Sequence, residues 1–280
     1  MKRIAIQGIS GCFHEEAAER YFGSITPVEC RTFDDMFLAM ERGEADGAVI
    51  AIENSISGGL LQNFELLRHY PYTIKGEQYL RIKQNLVALP GQSIDQINEV
   101  HSHYMAINQT RHFFNEHPHI RLYESEDTAA SAAEIADKQL RGVGGVASEL
   151  AARKYGLEIL AASIETDKHN YTRFLILDPS IEVEESRINK ASLCFTLSHR
   201  SGKLAQVLSV LSYYDMNLTR IQSLPIVGKE WQYFFYVDLR FEEYEQYRQA
   251  IAATRPLLGE LKILGEYPAA SMDIANTVSY

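Results

Sequence analysis

The segment Asn170-Tyr171-Thr172-Arg173-Phe174 puts a small hydroxyl and a permanent cation side by side where an apolar run, Phe174-Leu175-Ile176-Leu177, begins. A hydroxyl donates a hydrogen bond to a departing oxygen, and a guanidinium grips a carboxylate through two parallel N–H groups. Such chemistry needs rigid support, which a buried strand behind the pair would give. Four further segments carry polar groups that a bare scaffold does not require: GISGCFHEEAA from Gly8, IENSISGG from Ile52, the stretch from His101 to Gln109, and EDTAA from Glu126. Ser10 sits beside Gly11, where the backbone can approach a ligand closely, although a plain turn accounts for the same residues. Asn54 and Ser55 end an apolar run and point amide and hydroxyl groups at an anion, or form an Asx-type turn. Thr128 follows Asp127 at a helix start, where free N–H groups bind oxygen or Asp127 simply caps the helix.

Hydrophobic periodicity shows the elements that must position these groups. The first half alternates short apolar runs with amphipathic stretches: a strand at Arg3–Gln7, a helix near Glu15–Phe22, a strand at Val28–Arg31, a helix from Asp34 to Arg42 capped by Thr32 or Asp34, then AVIAIE. This βαβα order predicts a parallel sheet flanked by helices, with ligand groups at the carboxyl ends of strands. The order restarts near Ile82 with NLVAL, a strand at Glu99–His103, a helix through Arg111 and an alanine-rich helix opened by Asp127-Thr128. The expectation is an α/β catalytic domain at 1–182 with two lobes and a cleft, in the manner of periplasmic binding proteins. One lobe is about 1–80 with 165–182, the other 81–164. SIEVEESRINK, from Ser180, reads as a polar linker. Strands at Ala191–Leu197, Asn217–Val227, Gln232–Arg240 and Glu260–Tyr267, with helices at Lys203–Tyr214 and Tyr244–Ala253, spell βαββαβ, a ferredoxin-like split over 191–268. A tail, 269–280, shows no period.

A net charge of −10 over 280 residues excludes a nucleic-acid partner, which needs basic patches. Cys12, Cys30 and Cys194 are scattered and odd in number, which fits a reducing compartment. The start MKRIAIQGISG is too short an apolar run for a signal peptide, and no window approaches a membrane span, so the expected location is cytoplasmic. His101 and His103 share a strand face and His112, His117 and His119 crowd a helix end, but no carboxylate or thiol completes a metal-ligand spacing. A Walker loop, a complete GxGxxG and a GxSxG elbow are missing, which removes the usual support for nucleotide, dinucleotide and acyl-transfer chemistry.

In this order and spacing, GISGCFHEEAA, IENSISGG, DTAA, YGLEILA and NYTRF resemble the prephenate dehydratase family over essentially the whole chain. Residues from Ala191 to about Tyr267 resemble an ACT domain, a small effector module. The resemblance implies conversion of prephenate to phenylpyruvate with loss of water and carbon dioxide, without cofactor or metal. It implies that Thr172 assists departure of the hydroxyl and Arg173 binds a carboxylate. Ser10, Asn54, Ser55, Thr128 and Gln109 become polar contacts, with Phe174 packing behind them. It further implies an effector pocket at Gly202, Leu204, Asn217 and Leu218, with L-phenylalanine as effector, and a homodimer or homotetramer. Two departures stand out. The family's His-Pro-Gln segment reads His103-Tyr104-Met105, and its ESRP-like motif reads Gln222-Ser223-Leu224-Pro225, which loses both charges. An arogenate dehydratase and a non-catalytic sensor of aromatic acids are the rival readings.

Overall fold

A computed structural model of the protein describes residues 1–271; the remainder of the expected tail, 272–280, lies outside the described residues. The chain divides into two compact units, 1–59 with 78–174, and 60–77 with the residues from 175 onward.

The first unit holds two sheets. Strand Gly47–Asn54 is almost continuously apolar, as befits a strand covered on both faces. It lies parallel to Lys2–Gln7, which pairs in parallel with Ile25–Cys30. On its other side it neighbours the strand that begins at Tyr171. The helix Phe33–Glu41 starts in a capping box, in which the Thr32 hydroxyl accepts from Asp35 N–H and the Asp35 carboxylate accepts from Thr32 N–H.

The second sheet runs Glu158–Ala161, Asn85–Ala88, Val143–Ala147, Glu99–His103, Arg121–Ser125. Alternation along Leu86-Val87-Ala88-Leu89 sends Val87 and Leu89 into one core with Ala129, Ala132, Ile135 and Ala151. Leu86 and Ala88 enter another core with Val100, Phe114 and Val146. Each large side chain so buried contributes about 1.5–3 kcal/mol. The helix expected through Arg111 breaks at Thr110, whose hydroxyl donates back to Ala106 C=O at 2.8 Å. It resumes as Arg111–Asn115.

The two sheets meet at the loop of Ser10 and Gly11. Gly11 has φ +93°, and a Cβ there would stand 2.9 Å from Ala151 Cα, so glycine is required twice over. Ser148 Oγ donates to Gly11 C=O at 2.7 Å and Tyr155 Oη to Ser10 C=O at 2.6 Å.

The second unit is a four-stranded antiparallel arrangement ordered Asn217–Pro225, Tyr233–Arg240, Lys190–Thr196, Leu261–Tyr267, with Ile74 paired to Gly265 at its edge. Helices Lys203–Tyr213 and Tyr244–Thr254 complete βαββαβ. Leu193, Phe195, Val237 and Leu239 face these helices and meet Val207, Leu211 and Tyr247. The opposite face is covered by helix Leu61–His69, whose Phe64 ring lies 5.2 Å from that of Tyr236.

Lys190, read from sequence as the end of a polar linker, instead opens a buried strand. Its ammonium donates to both Glu77 oxygens at 3.0 and 2.8 Å. The linker reading fails at this end of the segment, because a lysine is tolerated inside once a carboxylate meets it. Residues Ala269 and Ala270 of the expected tail donate backbone hydrogen bonds to Asn189 Oδ1 and Glu77 Oε1. Among the described residues, no helix is long and apolar enough to cross a membrane.

Candidate active site

The site begins where strand Gly47–Asn54 ends beside the start of strand Tyr171–Leu177. Ser55 stitches the two together: its N–H donates to Tyr171 C=O at 2.8 Å, and its hydroxyl accepts from Tyr171 N–H at 2.9 Å while donating to His169 C=O at 2.7 Å. Ser55 therefore spends its hydrogen-bonding capacity on the scaffold.

Asn54 is the centre of the cluster. Its Oδ1 accepts from the Ile56 and Ser57 N–H groups at 3.0 and 2.9 Å, which fixes the amide's orientation, since those donors need an oxygen. Its Nδ2 then faces Asn170 Oδ1 at 2.7 Å, Thr172 Oγ1 at 2.9 Å and Tyr171 C=O at 3.2 Å. Asn170 Nδ2 donates to Gln109 Oε1 at 2.9 Å, and Gln84 Nε2 approaches the same oxygen at 3.4 Å. Asn170 and Gln84 are buried, so this is an interior network of neutral groups, in which each partner matters because water cannot replace it. Thr172 is 9% exposed and accepts from Asn54, which leaves its own O–H directed elsewhere. A fixed donor on one side occupies a lone pair and leaves the hydroxyl's own proton to donate elsewhere.

Arg173 is 2% exposed, with Nη1 3.2 Å from Glu53 Oε1. Successive strand residues project to opposite faces, so Asn54 and Thr172 share one face while Glu53 and Arg173 share the other. The hydroxyl and the guanidinium, adjacent in sequence, thus do not form one fused group. Phe174 returns to the Thr172 face, and its ring meets His14 edge-on at 5.1 Å. His14 Nε2 accepts from Ala51 N–H at 3.3 Å, and burial alone lowers the ring's pKa to about 3.

That neutral histidine makes acid stability predictable. Its folded pKa lies below the ordinary value of 6.5, so the unfolded chain takes up a proton first as pH falls. Stability is full above about pH 6.5 and declines below it until the folded pKa is reached, by up to about 1.4 kcal/mol per pH unit. Denaturant unfolding at pH 7 and pH 4.5 should show this loss in the native protein and a smaller loss in His14→Gln, which keeps an acceptor for Ala51. Equal losses in both would remove His14 as the cause.

The other expected residues lie elsewhere in the unit. The Ser10 hydroxyl donates to Glu15 Oε2 at 3.2 Å and accepts from Lys154 Nζ at 2.7 Å, and Lys154 also pairs with the buried Glu15 carboxylate. Thr128 is half-buried at the first position of helix Thr128–Asp137, whose cap is Asp127, accepting from Ala130 N–H at 2.8 Å. Burial raises the Asp127 pKa. Thus Asn54, Ser55, Gln109, Thr172 and Phe174 converge, while Ser10 and Thr128 belong to other clusters. Asn170, Glu53 and Gln84 were missed. Asn170 stands in the segment 170–174 itself, where the adjacent hydroxyl and cation carry the stronger chemical signal. His103 Nδ1 accepts from Met105 N–H at 3.3 Å, and His101 Nε2 lies 3.5 Å from Glu99. Among the described residues, no three potential metal ligands gather.

In the second unit, Gly202 adopts φ 78° ahead of helix Lys203–Tyr213. Leu204 lines a cavity of about 320 Å³ with Arg200, Trp231, Tyr233 and Phe235. Asn217 and Leu218 open the edge strand opposite Arg240 and Leu239.

A family model described as prephenate dehydratase matches residues 4–181. Arogenate dehydratase 2 of Petunia hybrida is 36% identical, over 96% of this chain and 72% of the relative. The bifunctional chorismate mutase/prephenate dehydratase of Escherichia coli K12 is 31% identical, over 95% and 71%. Among solved structures, the prephenate dehydratase of Arthrobacter aurescens in complex with L-Phe superposes with a TM-score of 0.84 at 26% identity, covering 95% of this chain and 89% of that one. GqqA, described as a novel type of quorum quenching acylase, superposes at 0.88 with 28% identity, covering 96% and 98%. The chain belongs to the prephenate dehydratase family.

Proposed function

We propose that the protein converts prephenate to phenylpyruvate, as a carbon–oxygen lyase of aromatic amino-acid biosynthesis. The observation that carries this reading is the hydrogen bond from Asn54 Nδ2 to Thr172 Oγ1, which occupies a lone pair of the threonine oxygen and leaves its proton to serve a substrate. In the reaction the ring C–O bond breaks, the ring carboxylate leaves as carbon dioxide, and the electron pair of that C–C bond completes the aromatic ring. The hydroxyl leaves as water, and one proton is taken up overall. Thr172 is too weak an acid to surrender its proton early, so it acts by donating a hydrogen bond as the C–O bond lengthens, from a held position in a largely dry site. Following phenylpyruvate formation from prephenate tests this directly; binding without product would instead favour the sensor reading. An acylase role finds no support at Thr172, because its neighbour is an amide and gives a nucleophile no base.

Arogenate is the second reading, favoured by the names of the plant relatives. Turnover of the two substrates side by side separates them.

Arg173 is assigned a positioning role, because its guanidinium meets Glu53 on the face opposite Thr172. Arg173→Lys keeps the charge and loses the planar fork. The expected result is a kcat lowered roughly tenfold with KM changed less than about twofold. A rise in KM alone would restore the direct carboxylate contact that the sequence led us to expect.

The regulatory part of the proposal is an ACT domain over 191–268, with an L-phenylalanine site that uses Gly202, Leu204, Asn217 and Leu218. A homodimer or homotetramer and a cytoplasmic location complete it. The βαββαβ order supports the first, and three buried, free thiols are in keeping with the last.

A further inference from the structure

A second built cavity lies in the 60–77 and C-terminal unit, away from the pocket of Leu204. Arg68, Arg255 and Lys262 surround a space of about 400 Å³, together with Cys194, Phe234 and Leu261, and Glu260 is its one carboxylate. In a chain with a net charge of −10, a pocket with two more cations than anions runs against the composition.

The cations are held in place, yet two of them lack a carboxylate partner. Lys262 Nζ donates to the C=O groups of Leu67, Arg68 and Tyr70 at 3.2, 2.7 and 2.8 Å, capping the end of helix Leu61–His69. Its three donors are used, and it lends the pocket charge alone; burial and then the neighbouring Arg68 lower its pKa. The Arg68 guanidinium lies over the Phe234 ring at 4.2 Å, and its Nε is enclosed without a hydrogen-bond acceptor. The Tyr236 hydroxyl, on the same sheet face, is enclosed beside Arg68 and the Cys194 thiol. Among the described residues, neither Arg68 nor Arg255 stands within ion-pair distance of a carboxylate.

We propose that this cavity binds a small carboxylate bearing an apolar group, with the carboxylate on Arg68 and Arg255 and the apolar part against Phe234 and Leu261. An anion relieves the mutual repulsion of Arg68 and Lys262 and gives the guanidiniums the charged acceptor that no carboxylate among the described residues provides. A zwitterionic amino acid is disfavoured, because its ammonium would meet three cations and one acid. The site shares no residue with the effector pocket of Leu204, and its occupation does not depend on the catalytic assignment.

The test is isothermal titration of the full chain with 3-phenylpropanoate, with inorganic phosphate and L-phenylalanine as separate arms. One 3-phenylpropanoate should bind with an affinity that falls about tenfold in Arg255→Gln, a change at an exposed position, and similarly in Arg68→Lys, which keeps the charge. Affinity unchanged in both variants, no binding, or equal Arg255-dependent binding of phosphate or L-phenylalanine overturns the proposal.

Discussion

Thr172→Ala lowers kcat by about 10²- to 10⁴-fold, the range that a positioned proton donor contributes, and leaves KM within about threefold. The reasoning rests on where the hydroxyl's bonds go. Asn54 occupies a lone pair of Thr172 Oγ1 at 2.9 Å, so in the proposed mechanism the hydroxyl's proton is the group that meets the departing oxygen. Alanine removes that proton and strips Asn54 Nδ2 of an acceptor, but Asn170 Oδ1 and Tyr171 C=O still hold the amide. The scaffold therefore survives, and the loss is chemical rather than structural. Thr172→Ser should recover most of the rate, since it keeps the hydroxyl and loses only a methyl group. A steady-state kcat unchanged by alanine removes Thr172 from the mechanism.

Lys190→Met costs about 3–5 kcal/mol of folding stability, because it takes away an ammonium that donates to both oxygens of a buried carboxylate. Side-chain exposure at this pair is 5% for Lys190 and 1% for Glu77, so water cannot take over the lost contact. The Ala270 N–H that also donates to Glu77 is a single neutral donor and does not balance a charge. Lys190→Met combined with Glu77→Leu should regain most of the loss, since a well-packed apolar pair often matches a buried ion pair. Denaturant unfolding of the two variants measures both effects. A single variant as stable as the native chain would mean that the pair contributes charge without consequence.

Much of the scaffold was legible because period and caps agree. Gly47–Asn54 reads as a fully buried strand from its unbroken apolar run, and Thr32 announces its helix with Asp35 three residues on. The βαββαβ order followed from strand and helix lengths alone. Single candidate residues such as Asn54, Thr172 and Gln109 were visible because polar groups at the ends of apolar runs ask for a reason. Their partnership was not visible, since 118 residues separate Asn54 from Thr172 and 61 separate Gln109 from Asn170. Periodicity speaks of one element at a time and is silent on which ends meet. The same silence hid Lys190, whose burial depends on a carboxylate 113 residues away. Arg173 meets Glu53 on the strand face opposite Thr172, an alternation that adjacency in sequence does not announce.

Gln84, Gln109, Asn170, Asn54 and Thr172 are four carboxamides and an alcohol, none of which gains or loses a proton anywhere near neutrality. Acid or alkali near neutrality leaves the protonation of this network unchanged. The aim of the Thr172 hydroxyl is set by carpentry, through the partners that hold Asn54 in place.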